Sequence, residues 1–425
     1  MERFTGLIGI VLIFGIAYLM SNNRKAINYR LVLSGLAIQI TLALFILDTP
    51  VGKTVFAWLG AKVTKVLGFS QLGADFVFGP LVNHQFMVKA FGTGNDFVFF
   101  FSIIPTIIFV AVLVSVAYYL GIMQRIVKVI AFIVYKLMGV SGSEALSNVA
   151  STFVGQVEAQ IMIKPYLKGM TMSELLASMA GSMACIAGGV MAVYIALGVP
   201  AQYLLAASIM AAPGALVISK IVWPETEVSE TKGHVTIEIK KTNANIVDAI
   251  SHGSSDGLKV GLNVIAMLVG FIAIIGLLDY VLGFIGFNLA THLHMGLDFI
   301  GIDLKTLSLK QILGAIFSLF AWAMGVPHQD VRTAGSLMGT KMVLNEFVAY
   351  LDLVKIKALM QPKTLVITSF ALCGFANFSS IAIQIGGIGE LAPERRTDLA
   401  KLGMKALICG TLASYLSATI AGILM

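Results

Sequence analysis

The chain has 425 residues, of which 58% are hydrophobic and 12% charged, with a mean hydropathy of +0.91. So few polar side chains cannot coat a water-facing surface of that size, which excludes a soluble fold and points to an all-α polytopic membrane protein. The net charge of +7 lies in short segments between apolar runs rather than on one clustered face, so it reports orientation in a bilayer and no nucleic acid partner is expected.

Matching uncharged runs to the roughly 20 residues that cross hydrocarbon predicts helices. They fall at 5–20, 31–47, 97–120, 175–199, 201–219, 260–278, 364–389 and 406–425, eight spans in all. The first lacks a basic leading segment and a small-residue cleavage site, so it reads as a retained helix. Residues 51–67 and 121–140 mix basic and apolar side chains at helical spacing, as amphipathic helices lying in the interface do. Residues 141–170 are too interrupted by Gly, Ser, Pro and charge to span and too apolar for water. They read as a re-entrant hairpin, tolerated at membrane depth only inside protein or beside a watery cavity. The run 175–219 exceeds one helix, and Gly198-Val199-Pro200 marks a turn within it. Residues 223–257 form a hydrophilic linker between two halves, and 311–360 read as a second re-entrant hairpin.

Basic residues follow every odd-numbered span: Arg24, Lys25 and Arg30; Arg125, Lys128 and Lys136; Lys220, Lys232, Lys240 and Lys241; Arg395, Arg396, Lys401 and Lys405. These exits are therefore expected in the cytoplasm and both termini outside, despite Lys53, Lys62 and Lys65 in the second connection. The two hairpins then enter from opposite sides, so the halves form an inverted repeat, the plan of secondary transporters. Cys185, Cys373 and Cys409 all fall in spans and read as small packing residues.

Chemistry concentrates at four points. Glu158 and Glu346 are carboxylates in apolar stretches, each either a site residue or part of a buried packing pair. Gln156 and Glu158, two apart, would face one site only if the backbone unwinds near Gly155. Asn377 and Ser380 share a helical face, with Phe375 and Phe378 beside it. Gly188-Gly189-Val190 thins a span, a pattern read more readily as close helix packing than as unwinding. Together these groups suit a neutral solute with several hydroxyls and a flat ring, such as a nucleoside.

Other classes fit less well. None of His84, His234, His252, His292, His294 and His328 lies in a defined span, so a hydrolytic enzyme lacks its base, and His292-Leu293-His294 lacks a third metal ligand. Gly386-Gly387-Ile388-Gly389 lacks the Lys-Ser/Thr of a phosphate loop, so an ATP-driven pump is rejected. No enzyme activity and no cofactor are expected. A channel or a receptor for small polar solutes is the alternative reading.

Gly155-Gln156-Val157-Glu158-Ala159, Ile163-Lys164-Pro165-Tyr166-Leu167, Asn345-Glu346-Phe347-Val348-Ala349-Tyr350-Leu351 and Ala371-Leu372-Cys373-Gly374-Phe375-Ala376-Asn377-Phe378 resemble the concentrative nucleoside transporter family, in its bacterial form. The resemblance implies eight transmembrane helices with two re-entrant hairpins in the cytoplasmic (inner) membrane, a homotrimer, and elevator-type alternating access. Residues 1–120 would be N-terminal scaffold helices, 121–222 the first transport-domain repeat, 223–310 a linker and scaffold helix, and 311–425 the second repeat. It further implies that Gln156 and Glu158 hold the nucleobase, that Val190 and Phe375 line it, and that Glu346, Asn377 and Ser380 hold the ribose. Val157 stands where the family has Thr, and Gln160 where it has Pro. Sodium-coupled members carry Asn and a hydroxyl residue where this chain has Ser151 and Cys185. A thiol is a poor ligand for a hard cation, so the resemblance favours proton coupling over sodium, although backbone carbonyls and Thr152 leave sodium open. Glu158 or Glu346 would carry the proton.

Overall fold

Capping residues and glycines set the boundaries of an all-helical chain in the computed structural model, which describes residues 2–92, 98–232, 243–292 and 302–425. His234, His294, Lys240, Lys241 and the side chain of His84 lie outside the described residues. The first part holds α1 (Glu2–Leu19), α2 (Tyr29–Ala43), α3 (Pro50–Gly68), α4 (Ser70–Phe78), α5 (His84–Phe91) and α6 (Phe99–Tyr119). Next come α7 (Ile122–Met138), α8 (Gly142–Ser151), the single turn α9 (Glu158–Ile161), α10 (Met172–Ala184), α11 (Gly188–Ala196) and α12 (Ala201–Val222). After α13 (Ile246–His292), the chain forms α14 (Leu309–Ala323), α15 (Val331–Val343), α16 (Glu346–Ile356), α17 (Pro362–Leu372), α18 (Phe378–Leu391) and α19 (Arg396–Leu424).

Among the described residues, six stretches are long and apolar enough to cross a membrane: Tyr29–Asp48, Phe99–Tyr119, Met172–Ala196, Ala201–Val222, Ile246–His292 and Pro393–Leu424. The two other expected spans correspond to the shorter α1 and to the α17–α18 pair. Of the apolar windows, 89% of that in α12 is buried against 11% of that in α13, so α12 is core and α13 peripheral. The core is α10, α12, α17 and α19, with α1 and α2 packed on α12 and α19, while α6 runs along α13.

Four expectations change. The segment 311–360 is not one hairpin: α14 is a separate helix, and only α15 and α16 form the hairpin arms. The span 364–389 is two helices interrupted at 373–377, because Asn377 caps a fresh helix start instead of continuing the old one. The span 175–199 is broken at 185–187, so Gly188 and Gly189 open a helix after an unwound segment rather than marking close packing. The last third of the expected linker, residues 246–257, is helix, since α13 begins at Ile246 and runs 47 residues, about 70 Å at 1.5 Å per residue.

The second half repeats the first. An outer helix (α7, α14) precedes a hairpin (α8–α9, α15–α16), a broken span (α10–α11, α17–α18) and a long final helix (α12, α19). Contacts at both ends show that the broken spans run antiparallel. Arg395, after α18, places Nη1 3.0 Å from the Lys168 carbonyl and 3.3 Å from that of Leu167, just before α10. Lys357, just before α17, donates to the Gly198 carbonyl after α11 at 2.6 Å. Between these ends the two breaks cross, with the Phe375 amide donating to the Cys185 carbonyl at 3.3 Å. Only glycine fits beside that crossing: Gly374 has φ +141°, and a Cβ there would stand 2.7 Å from the Ala184 carbonyl oxygen.

Polar residues fasten the base of the first hairpin. Ser141 and Glu144 form a capping box on α8, as do Thr171 and Glu174 on α10, and Lys220 of α12 is ion-paired with Glu144. Ser229, in the segment after α12, donates to Glu174 at 2.5 Å and holds the linker's start under the hairpin. The three cysteines are buried and free; Cys185 and Cys373 end the helices before the two breaks.

Candidate functional site

The site grows from interrupted backbone at membrane depth. A helix break leaves amide and carbonyl groups without intrahelical partners, and these must be met by side chains, other backbone or a ligand. The first hairpin unwinds between Ser151 and Glu158, through Gly155, as the spacing of Gln156 and Glu158 requires. Its tip reaches the first break, where the Gly188 amide donates to the Phe153 carbonyl at 3.0 Å.

At the second hairpin, Asn345 caps α16 by accepting from the Val348 amide at 2.9 Å, which puts Glu346 at the helix start. Glu346 is 6% exposed. Its Oε1 accepts from the Tyr194 hydroxyl at 3.0 Å and its Oε2 from Asn377 Nδ2 at 3.1 Å. Asn377 does not share a helical face with Ser380 as the spacing suggests. It is the cap of α18, its Oδ1 accepting from the Ser380 amide at 2.9 Å, and the two are joined by that bond. Gln156 then connects the halves, donating from Nε2 to Ser380 Oγ at 3.3 Å.

Glu158 does not join Glu346 in one buried chamber. It is exposed and folds back over Gly155, where a Cβ would stand 2.0 Å from its Oε2. Val157 packs on Gly387 of α18, a Cβ on which would lie 2.5 Å from Val157 Cγ2. Phe375 and Val190 are half-buried, one in the second break and the other in the first turn after the first break. Phe378 is exposed.

Ser151 Oγ donates to the Ser147 carbonyl at 2.7 Å and lies 3.0 Å from Ser182 Oγ. Gln160, the departure with no assigned role, donates from Nε2 to Ser182 at 2.7 Å and accepts from Ser178 at 2.6 Å. Among the described residues no group of three His, Cys, Asp or Glu could hold a metal ion.

The sequence reading missed Tyr194, Lys341, Ser182 and Gln384. Lys341 is buried on α15 and donates to the Ala371 carbonyl at 2.8 Å, just before the second break. A lysine in an apolar hairpin is the same signal as Glu346 and was available. Tyr194 gave none, since a tyrosine in an apolar helix looks like packing.

Residues 203–422 match the family described as Na+ dependent nucleoside transporter C-terminus and 8–81 its N-terminus, while 100–201 match a nucleoside recognition domain. The chain is 42% identical to an uncharacterized transporter, YutK, of Bacillus subtilis, over 99% of each chain. It is 38% identical to a nucleoside permease, NupC, of Helicobacter pylori, over 98% of this chain and 96% of that one. With sodium/nucleoside cotransporter 1 of Mus musculus the identity is 35%, over 100% of this chain and 64% of the longer mouse protein. The solved structure of CNTnw in an inward-facing substrate-bound state is 39% identical, covers 100% of this chain and 98% of that one, and superposes with a TM-score of 0.91.

Proposed function

Given that the chain belongs to the concentrative, Na+ dependent nucleoside transporter family, and is by that membership an integral membrane transporter of nucleosides and not an enzyme, we propose that it imports them by cation-coupled symport. The observation that carries the reading is the continuous polar chain from Gln156 through Ser380 and Asn377 to Glu346 and Tyr194, which joins both hairpins and both broken spans. Glu346 and Asn377 offer the paired acceptor and amide that ribose hydroxyls need, with Ser380 beside them. Gln156 reads the base edge, Phe375 and Val190 line its plane, Val157 sets the wall behind Gln156, and Glu158 approaches from the open side of the hairpin tip.

Sodium is the first reading for the coupled ion, since the family descriptions and the mouse cotransporter name it. This reverses the order expected from Ser151 and Cys185; none of these descriptions names a proton. One observation keeps the proton as the second reading. The oxygens of Ser151 and Ser182 are engaged with each other and with the N–H of Gln160, where a hard cation would want free lone pairs. In that case Glu158 or Glu346 carries the proton.

The elevator mechanism, the homotrimer, residence in the inner membrane and termini facing outward belong to the same proposal. Solved relatives described in inward-facing, outward-facing and intermediate states support a moving transport domain. The exposed apolar stripe of α13, including Val269, Leu277, Tyr280 and Phe284, supports a helix that faces lipid and neighbouring copies. The grouping into scaffold (1–120 and 223–310) and repeats (121–222 and 311–425) is supported by the likeness of the two halves.

Uptake of labelled nucleosides into proteoliposomes tests the reading, with a sodium gradient and a pH gradient imposed separately. Saturable accumulation driven by one gradient is expected, sodium first. Equilibration without accumulation would make the protein a channel, and binding without uptake a receptor.

A further inference from the structure

The orientation of the Gln156 side chain is set from behind. The Met179 carbonyl on α10 can only accept, so the part of Gln384 that meets it at 3.1 Å must be the NH2 group. That NH2 also lies 3.4 Å from Gln156, and because it cannot accept, the atom it faces must be Gln156 Oε1. The Gln156 NH2 is thereby turned toward Ser380. Three dipoles are thus ordered by one backbone atom that has no choice of polarity. Gln384 is fully buried, and its own Oε1 has no partner among the described residues. An unpaired buried acceptor is destabilising, so it calls for an explanation other than stability.

We infer that Gln384 is a positioning residue for base selection: by holding the Gln156 carboxamide in one of its two flip states, it makes the site distinguish nucleobases whose edges carry donor and acceptor in opposite order. The inference rests on the reading that Gln156 touches the base. Cytosine presents an exocyclic donor beside a ring acceptor, and uracil presents the reverse. Adenine and hypoxanthine form the same contrast among purines. A fixed carboxamide matches one order of each pair; a freely flipping one matches both.

The test is equilibrium binding of cytidine against uridine, and of adenosine against inosine, to detergent-solubilised protein that runs as a single species, followed by uptake in proteoliposomes. The Gln384→Met and Gln384→Leu variants both remove the donor that faces Met179 and Gln156. Wild-type protein is expected to prefer one member of each pair by about tenfold or more, and both variants to bring the ratio toward one. The ratio of ribonucleoside to 2′-deoxynucleoside affinity should move far less than the base ratios, because Glu346 and Asn377 keep their places and only Ser380 of the sugar-side groups meets Gln156. Unchanged base ratios in whichever variant binds nucleoside, or an equal loss for every ligand, would overturn the inference. Gln156→Ala separates the two failures. If it too leaves base ratios unchanged, the placement of the base is wrong; if it alone abolishes them, only the positioning role fails.

Discussion

Glu346 is held by two donors from different parts of the chain, and the hydroxyl of Tyr194 is the one that can be removed with least change of shape. A hydrogen bond to a charged acceptor contributes about 1.5–3 kcal/mol. Tyr194→Phe is therefore expected to raise the KM for nucleoside uptake about tenfold or more, with Vmax near wild type; an unchanged KM would show that Asn377 alone orients the carboxylate. Lys341 acts at the same scale by a different route. Its ammonium is buried beside the end of α17, where helix carbonyls carry partial negative charge, so Lys341→Met leaves the buried Ala371 carbonyl without its donor. Loss of uptake with markedly reduced thermal stability is the expected outcome, and a fully stable, active variant would contradict it.

Each hairpin is tied at its base to the other repeat, by Arg395 at one face and Lys357 at the opposite one. These ties explain how a hairpin that ends in a broken tip keeps its place: the base is held by charged donors on carbonyls, and the tip by the break it meets. Arg395→Ala should release residues 162–170. Amide exchange there is expected to quicken about tenfold, equivalent to roughly 1.4 kcal/mol of local opening, while exchange in the second hairpin stays unchanged. Equal acceleration in both hairpins would mean that the two ties act as one unit. The two broken spans show why element boundaries were harder to read than element existence. Asn377 and Cys185 stand in apolar runs that satisfy any hydropathy window, and only the geometry of the crossing strands of backbone makes the breaks stable.

For the whole molecule, α6 packs along α13 on one side and against α11 on the other. Under the proposed elevator motion, the α6–α11 contact must slide. A Cβ at Gly189 would lie 3.8 Å from Val110 Cγ1, so cysteines at the two positions would face each other across the contact. The double variant Val110→Cys, Gly189→Cys should lose uptake on oxidation and regain it on reduction. Full activity of the cross-linked protein would exclude sliding at this contact.

Hydropathy, charge placement and short interrupted segments are local properties of the chain. The sequence by itself therefore determined the membrane class, the two hairpins, the repeat and the peptides that bear Gln156, Glu346 and Asn377. Tertiary structure decided what these peptides face. Gln156 meets Ser380 across 224 positions and Gln384 across 228, separations at which no periodicity carries information. The same holds for the burial of Glu346 and the exposure of Glu158, two acids alike in sequence context. Whether a carboxylate is desolvated depends on which helices pack over it, and that is settled only when the halves of the molecule come together.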